Sequence, residues 1–201
     1  MADMRIGVFG GTFNPPHIAH LILADETQHQ LSLDLLLWVL TADPPHKQNT
    51  PITPLEHRLE MVRLALVGEP RNELSRIEID RPGPHFAVDT LHLLAEEYPQ
   101  AVLVYLMGGD SLQDLIRWHL PGEFVKACDE LGVMRRPEDQ IDLPGIEAAL
   151  PGISKKIRFV DAPLLEISSS EIRRRVAEGR PFRHYLPTAV YNYIQANNLY
   201  G

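Results

Sequence analysis

The sequence predicts an α/β protein with a Rossmann-like, doubly wound parallel sheet and a small C-terminal helical annex. Short apolar runs alternate with segments of helical periodicity along the 201 residues, as they do in repeated βαβ units. The run at residues 33–40 (L-D-L-L-L-W-V-L) is almost continuously apolar, which is typical of a strand covered on both faces. A glycine pair follows the first apolar run and precedes a helical segment, and turns of this kind bind ligands in such sheets.

Six strands are predicted from their apolar patterns. Residues 5–9, 33–40 and 101–107 form compact apolar runs, and residues 74–80 (L-S-R-I-E-I-D) alternate apolar and polar side chains as half-buried strands do. Shorter runs at 131–134 and 157–160 complete the sheet. Residues 137–152 show only a weak pattern, so no element is predicted there.

The helices are predicted from periodicity and from their start and stop signals. Residues 18–31, 87–98 and 124–128 are helical by pattern, and Asp110 or Ser111 can cap a short helix that reaches Trp118. The sequences T-P-L-E at 53–56 and S-S-S-E at 168–171 are capping boxes, for helices that extend to about residue 67 and to residue 178. Gly179 stops the second of these, and Pro187 begins a last helix that ends near residue 197.

The composition argues against a general nucleic-acid or membrane-surface binder. The chain carries 27 acidic and 19 basic residues, a net charge of −8, with 44% hydrophobic and 23% charged residues. Binding to nucleic acid or to anionic lipid requires clustered positive charge, so neither partner is expected. The length suits a single domain over residues 1–201, in which about 155–201 form the helical part that carries the 168–173 motif.

Cysteine use points to a reducing compartment. Cys128 is the single cysteine, so no disulfide can form within the chain. No secretory h-region precedes the first strand, and a cytoplasmic location is therefore predicted. Cys128 lies in an apolar segment and is expected to be buried.

The stretch at residues 10–21 (G-G-T-F-N-P-P-H-I-A-H-L) is the strongest functional signal. A strand, a glycine turn and a helix N-terminus follow one another, so free backbone N–H groups and the helix dipole can hold a phosphate. His17 and His20 are three residues apart at that N-terminus and share a face. Imidazoles donate hydrogen bonds to phosphoryl oxygens and can be cationic near neutral pH. An exposed histidine pair and half of a metal site would also fit the pattern, but no third metal ligand stands at a matching spacing, so no metal ligands are predicted.

These residues resemble the nucleotidylyltransferase superfamily, whose signature is a glycine turn followed by His-x-Gly-His. Ala19 stands where that signature has glycine, and Asn14 where many members have aspartate. The resemblance implies that a substrate phosphate attacks the α-phosphorus of a nucleoside triphosphate directly, and that pyrophosphate leaves without a covalent intermediate. Catalysis would then consist of positioning and of stabilising the developing negative charge.

Further motifs narrow the resemblance to bacterial nicotinate-nucleotide adenylyltransferases, over essentially the whole chain. They are P-P-H-K at 44–47, S-x-x-E-I-x-R at 75–81, D-T-L at 89–91, G-G-D at 108–110, R-R-P at 135–137, I-S-S-S-x-I-R at 167–173 and Y-L-P at 185–187. The resemblance implies transfer of the adenylyl group of ATP to nicotinate mononucleotide, which gives deamido-NAD and pyrophosphate, with Mg²⁺. Both substrates would be partners, and the sequence leaves a homo-oligomer open.

The resemblance also assigns roles to residues. His17 and His20 would be catalytic. ATP would be bound by Gly10, Gly11, Thr12, Phe13, His20, Gly108, Asp110, Ser168, Ser169, Ser170 and Arg173. Nicotinate mononucleotide would be bound by Lys47, Ala87, Thr90 and Trp118, with the pyridine ring stacked on Trp118.

Several of these residues, and the substrate itself, admit a second interpretation. Trp118 is equally a candidate for the core, Asp110 for a helix N-cap and Lys47 for a solvated loop. Residues 84–87 (P-H-F-A) depart from the family's usual Ser-Tyr-Thr, so the acid or the amide form of the mononucleotide is left open. The sequence also leaves open a different phosphorylated acceptor and a nucleotide-binding module without turnover.

Overall fold

The computed structural model describes residues 3–42, 52–135 and 141–201. Its strands are β1 (Arg5–Gly11), β2 (Leu35–Leu40), β3 (Asn72–Ser75), β4 (Val102–Gly108), β5 (Glu130–Met134) and β6 (Ile157–Val160). Its α-helices are α1 (Ile18–Gln30), α2 (Leu55–Ala65), α3 (Ala87–Glu97), α4 (Gly109–Asp114), α5 (Pro121–Ala127), α6 (Leu143–Ala149), α7 (Ser169–Ala177) and α8 (Thr188–Ala196).

The six strands form one parallel sheet in the order β3-β2-β1-β4-β5-β6. β1 lies at the centre, where Val8 pairs with Leu37 of β2 on one side and with Tyr105 of β4 on the other. The strand order reverses between β1 and β4, so a crevice opens beyond the carboxyl ends of these two strands. The predicted Rossmann-like sheet is confirmed.

Burial of β2 explains its continuous hydrophobicity. Every residue of the strand is buried. Leu35, Leu37 and Val39 face one hydrophobic cluster, whereas Leu36 and Trp38 face a second cluster on the opposite side of the sheet. Helices cover both faces, so neither set of side chains can be polar.

The C-terminal helical annex packs on α2. A third hydrophobic cluster joins Met61 of α2 to Ile172 of α7 and to Val190 and Ile194 of α8. Arg58 of α2 also donates a hydrogen bond to the carbonyl of Thr12, just after β1. Through α2, the annex therefore lies near the segment that follows β1.

The structure moves two predicted strand boundaries. The second strand begins at Leu35 and not at residue 33, because Ser32 has a φ of 52° in the turn after α1. The predicted strand at 74–80 is wrong beyond Ser75, since residues 77–80 form turns in which Arg76 pairs with Asp80. Ile77 and Ile79 pack on the two different clusters, which produces strand-like alternation without pairing to β2.

The predicted helix caps are only partly correct. Ser168 caps α7 as expected, because its Oγ accepts the N–H of Glu171 at 3.2 Å. At α2 the N-cap is Pro54, and at α4 it is Gly108, each without a side-chain cap, so the predicted caps by Thr53 and by Asp110 or Ser111 are wrong. The weak pattern at 137–152 contains a short helix, α6, that periodicity missed.

Two further findings concern membrane-spanning helices and the cysteine thiol. Within the ranges described above, no helix is long and apolar enough to cross a membrane. Cys128 is fully buried, as predicted, and burial raises the pKa of its thiol to about 11.

Candidate active site

A cleft of about 650 Å³ opens beyond the carboxyl ends of β1 and β4. Its described wall comes from the end of β1, the loop into α1 and α1 itself, from Ile52 before α2, from the start of α4, from the end of β5, and from the extended stretch that leads into α7. The predicted ligand residues found in its wall are Thr12, Phe13, His17, His20, Gly108, Asp110, Ser168, Ser169, Ser170 and Arg173. The topology therefore gathers most of the predicted ATP-binding residues, although they are spread over the chain.

The glycine turn differs from the expectation. Gly10 and Gly11 are the last residues of β1 and pair with Val39 and Leu40, and the positive φ of 45° belongs to Phe13. Gly11 is needed for space, because a Cβ there would lie 2.8 Å from Cζ of Phe13. The absence of that Cβ leaves room for the buried Phe13 ring next to Gly11.

The buried Phe13 ring packs between Trp38 and His20. Its ring centroid lies 5.0 Å from that of Trp38 and 5.2 Å from that of His20. Phe9 also contacts the His20 ring, with centroids 6.0 Å apart. His20 is thereby held in a fixed orientation by aromatic packing at the start of α1.

His17 and His20 form a stacked and hydrogen-bonded pair. His17 is the N-cap of α1, in an extended conformation, and its backbone N–H donates to Nδ1 of His20 at 3.1 Å. The two ring centroids are 3.7 Å apart at an angle of 27°. Because Nδ1 of His20 accepts a hydrogen bond, the neutral ring carries its proton on Nε2, which is left as a donor.

Both histidines are neutral in the ligand-free protein. Burial lowers the pKa of His17 to about 4. Burial, and secondarily the neighbouring His17, holds the pKa of His20 well below its usual value. The cationic form that imidazoles can take near neutral pH is disfavoured in this state, because the rings lose their hydration on burial.

Ala19, which replaces the usual glycine between the histidines, is 7% exposed and contributes to the cleft wall. Its methyl group therefore borders the space that a phosphate would enter.

The N-terminus of α7 is tied directly to the loop that precedes His17. Oγ of Ser169 donates to the carbonyl of Pro15 at 2.8 Å, and Nη1 of Arg173 donates to the carbonyl of Asn14 at 2.8 Å. The two helix N-termini of the cleft, those of α1 and α7, are thereby fixed relative to each other. Backbone N–H groups at these two helix N-termini can donate hydrogen bonds to phosphate oxygens.

Arg58 of α2 is a functional neighbour that the sequence did not reveal. Its side chain is 2% exposed, and it donates to the carbonyls of Thr12 at 3.1 Å, Thr41 at 2.8 Å, Ala42 at 2.7 Å and Thr53 at 3.0 Å. It joins the loop after β1 to the segment after β2. No local signal distinguished it, because a single arginine on an amphipathic helix is usually solvated.

The cleft wall also contains the predicted residue Asp110, and other residues that were not predicted as site residues. Asp110 lies in the first turn of α4 and is the one acidic side chain among the described residues of the cleft wall. Arg135 lines the cleft with its guanidinium 4.2 Å above the Phe159 ring. Leu164 and Leu165, 60% and 38% exposed, offer apolar surface on the same wall.

Of the predicted acceptor residues, the three that the structure describes, Ala87, Thr90 and Trp118, are not part of this wall. Trp118 is half-buried and packs edge-on against Tyr105 and Phe124, at 6.2 and 5.3 Å between centroids. The Tyr105 hydroxyl lies 3.4 Å from the place of a Cβ on Gly10, so this aromatic group adjoins the end of β1. Ring stacking and core packing are therefore both compatible with the place of Trp118.

Ala87 and Thr90 belong to the first turn of α3. The Thr90 hydroxyl donates to Oε1 of the buried Glu78 at 2.8 Å, so it serves a contact within the protein. Phe86, just before Ala87, stacks on His119 with centroids 4.0 Å apart. Lys47 lies outside the described residues.

A strand–loop–helix with a stacked histidine pair, at the switch point of a parallel sheet, is the arrangement of an α/β nucleotidylyltransferase. A sequence model of the cytidylyltransferase-like family matches residues 8–175, in agreement with that class. By its relatives the chain belongs, more narrowly, to the nicotinate-nucleotide adenylyltransferase family, which confirms the resemblance drawn from the motifs.

Those relatives match along nearly the whole length. A protein of Thermomicrobium roseum named "Probable nicotinate-nucleotide adenylyltransferase" is 46% identical over 98% of this chain and 91% of its own. One of the same name from Thermus thermophilus is 43% identical over 98% and 100%.

Solved structures share the fold at lower identity. Nicotinic acid mononucleotide adenylyltransferase of Plasmodium falciparum, in complex with NaAD, superposes with a TM-score of 0.80 at 21% identity, over 98% of this chain and 97% of the other. A structure from Vibrio parahaemolyticus named "Putative Nicotinate-nucleotide Adenylyltransferase" superposes with a TM-score of 0.68 at 18% identity, over 98% of this chain and 95% of the other.

Proposed function

We propose that this protein transfers the adenylyl group of ATP to nicotinate mononucleotide and forms deamido-NAD and pyrophosphate, as a step of NAD biosynthesis. The observation that carries the proposal is the His17–His20 pair, whose hydrogen bond leaves Nε2 of His20 as a fixed donor in the cleft wall. The names of the full-length relatives support the choice of reaction.

The reaction needs little from the protein beyond position and charge. A phosphate oxygen of the mononucleotide attacks the α-phosphorus of ATP, the bond from that phosphorus to the bridging oxygen breaks, and pyrophosphate leaves. The attacking phosphate is already ionised, so no general base is required. Preorganised N–H donors stabilise the charge that develops on the α-phosphoryl oxygens.

The residues of the cleft divide this work. Nε2 of His20 and the first backbone N–H groups of α1 would face the reacting phosphate, with His17 orienting His20. The backbone of residues 10–13 would lie against the phosphate and ribose of the substrate. The start of α7, from Ser168 to Ser170 with Arg173, would take the triphosphate, and Asp110 would bind the ribose hydroxyls of ATP.

For the acceptor we propose Lys47 as a phosphate ligand and Trp118, Ala87 and Thr90 as the surroundings of the pyridine ring. The half-buried position of Trp118 beside Tyr105, next to Gly10, supports this placement. Because the Thr90 hydroxyl is held by Glu78, its part would be to shape the first turn of α3, where the N–H groups of Ala87 and Val88 precede those that bond to the Phe86 carbonyl and could donate to a carboxylate.

Mg²⁺ would enter with ATP. Among the described residues, no three His, Cys, Asp or Glu side chains are grouped to hold an ion. We therefore propose that Mg²⁺ is bound chiefly by the substrate phosphates, the usual arrangement for nucleotides. The ion would supply charge neutralisation on the triphosphate, and the protein's part is to hold the phosphates.

The direct test is an acceptor panel. The protein is supplied with ATP and Mg²⁺ and with nicotinate mononucleotide, nicotinamide mononucleotide, phosphopantetheine or no acceptor, and pyrophosphate release is measured. We expect release with nicotinate mononucleotide, coupled to deamido-NAD formation. Absence of release with that acceptor contradicts the proposal, and a higher kcat/KM with the amide reverses the choice of acceptor.

The cytoplasmic location and a homo-oligomeric state stay predictions. Light scattering of the purified protein measures the second.

A further inference from the structure

We infer that Tyr200 is a positioning residue for the reaction: its hydroxyl holds Asn14 and thereby sets the loop from which His17 and His20 project. The inference rests on the proposed function for its kinetic test, and a second test below does not depend on that function.

The contact links two distant parts of the chain. The Tyr200 hydroxyl donates to Oδ1 of Asn14 at 2.8 Å, across 186 positions of sequence, and lies 3.8 Å from Sδ of Met61 in α2. Asn14 is 5% exposed and belongs to the cleft wall. A buried amide oxygen without a hydrogen-bond donor lowers the stability of the folded state, so the loop needs the Tyr200 hydroxyl or another donor at this place.

The backbone after α8 is arranged to bring Tyr200 inward. Asn198 and Tyr200 have φ values of 47° and 70°, a region that side chains other than glycine seldom adopt. The N–H of Leu199 donates to the carbonyl of Ile194 at 3.1 Å, and Leu199 and Tyr200 pack on the cluster of the annex. Packing thus holds an unfavourable backbone that turns the phenol toward Asn14.

Asn14 is held from two sides. Its carbonyl accepts Arg173 of α7 at 2.8 Å, and its side chain accepts Tyr200. His17 follows three residues later and fixes the ring of His20 through its N–H. A displacement of Asn14 would therefore also displace Nε2 of His20. Small displacements of a hydrogen-bond donor lower kcat, because its alignment with the reacting phosphate is lost.

The chemistry of the phenol suits a permanent donor. Burial raises the pKa of Tyr200 to about 12, so the hydroxyl keeps its proton across the physiological range. The contact with Asn14 is therefore independent of pH near neutrality.

Tyr200→Phe removes the hydroxyl and keeps the ring. We expect kcat to fall about 10-fold while the KM for ATP stays within about 2-fold, since binding groups remain and alignment is lost. Tyr193→Phe is the matched control, because Tyr193 of α8 is also half-buried and its hydroxyl contacts Nδ1 of His57 at 2.9 Å, away from the loop. Equal effects of the two variants, or wild-type kcat for Tyr200→Phe, would overturn the inference.

A double-mutant cycle tests whether Tyr200 acts through Asn14. If it does, Asn14→Ala with Tyr200→Phe has the same kcat as Asn14→Ala alone. Multiplicative losses would show that Tyr200 acts by another route and contradict the inference.

Amide hydrogen exchange gives a readout without any substrate. Tyr200→Phe should speed exchange in peptides that cover residues 12–20, with unchanged exchange in β2 and β4, whereas Tyr193→Phe should not. If the wild type fails with nicotinate mononucleotide but this pattern appears, the proposed function fails and the positioning role stands. Uniformly faster exchange, or none, overturns the positioning role.

Discussion

The backbone N–H of His17 donates to Nδ1 of His20 at 3.1 Å, and the two imidazoles stack with centroids 3.7 Å apart. One hydrogen bond thus decides which nitrogen of His20 carries the proton. The ring can donate to a phosphoryl oxygen from Nε2 without first becoming cationic. Binding of a triphosphate would then raise the pKa of both histidines, because an adjacent anion favours the charged form.

Loss of the His20 donor should lower the rate strongly. His20→Ala is expected to reduce kcat at least ~100-fold, the usual effect of removing one preorganised donor to developing charge. His29→Ala, an exposed position in the last turn of the same helix, is the control and should retain wild-type kcat. Steady-state pyrophosphate release measures both, and an unchanged kcat for His20→Ala would remove it from the catalytic residues.

The neutral histidines make the folded protein sensitive to acid. The pKa of His17 is about 4 when folded and 6.5 when unfolded, so the unfolded chain binds more protons between these values. Stability is complete above pH 6.5 and falls as the pH drops toward 4, by up to about 3 kcal/mol from His17 alone. Urea unfolding at pH 7 and pH 5 measures the difference.

The matched variants for this test are His17→Asn and His92→Gln. His17→Asn should reduce the loss of stability between pH 7 and pH 5, whereas His92→Gln, at an exposed position of α3, should keep it. Identical pH profiles for the two variants would contradict the assignment to His17.

Arg173 should act on ATP binding. Arg173→Ala is expected to raise the KM for ATP, since the proposed contacts with the triphosphate would be shared by ground and transition states, and to lower kcat less, through loss of its hydrogen bond to the Asn14 carbonyl. Arg174→Ala removes a neighbouring arginine that pairs with Glu171 at the surface, and its KM should stay within about 2-fold of wild type. Initial rates over a range of ATP concentrations separate the two; equal KM values would exclude Arg173 from the ATP site.

Arg58 should be essential for stability. Arg58→Met leaves four backbone carbonyls without their donor and should cost at least about 3 kcal/mol of unfolding free energy. Arg63→Met, on the same helix, removes only an exposed pair with Glu60 and should leave the denaturation midpoint nearly unchanged. Chemical denaturation of both variants tests this, and equal midpoints would contradict it.

Gly11 should tolerate no side chain. Gly11→Ala would place Cβ 2.8 Å from the buried Phe13 ring, and the resulting overpacking should cost about 1–3 kcal/mol. Gly122→Ala, in α5 with open space around its Cβ, should be neutral or stabilising because alanine favours a helix. Thermal melts of the two variants measure the contrast, and equal melting temperatures would contradict the spatial role of Gly11.

Local pattern predicted the elements well where one period dominated. The two-sided burial of β2 and the cap of α7 by Ser168 follow from neighbouring residues, so the sequence contained them. The alternation at Ile77 and Ile79 misled, because turns can also send alternate side chains to opposite clusters. The N-caps of α2 and α4 are Pro54 and Gly108 and not the predicted polar residues, because the position of a cap depends on backbone geometry that composition does not specify.

The sequence by itself determined the six strands in chain order, most of the helices and the family, since these follow from neighbouring residues and from ordered motifs. Only the tertiary structure decided that the two histidines are neutral, that Arg58 is buried among carbonyls and that Tyr200 holds Asn14. Burial and hydrogen bonding between residues far apart in the chain set those properties, and no local period encodes them.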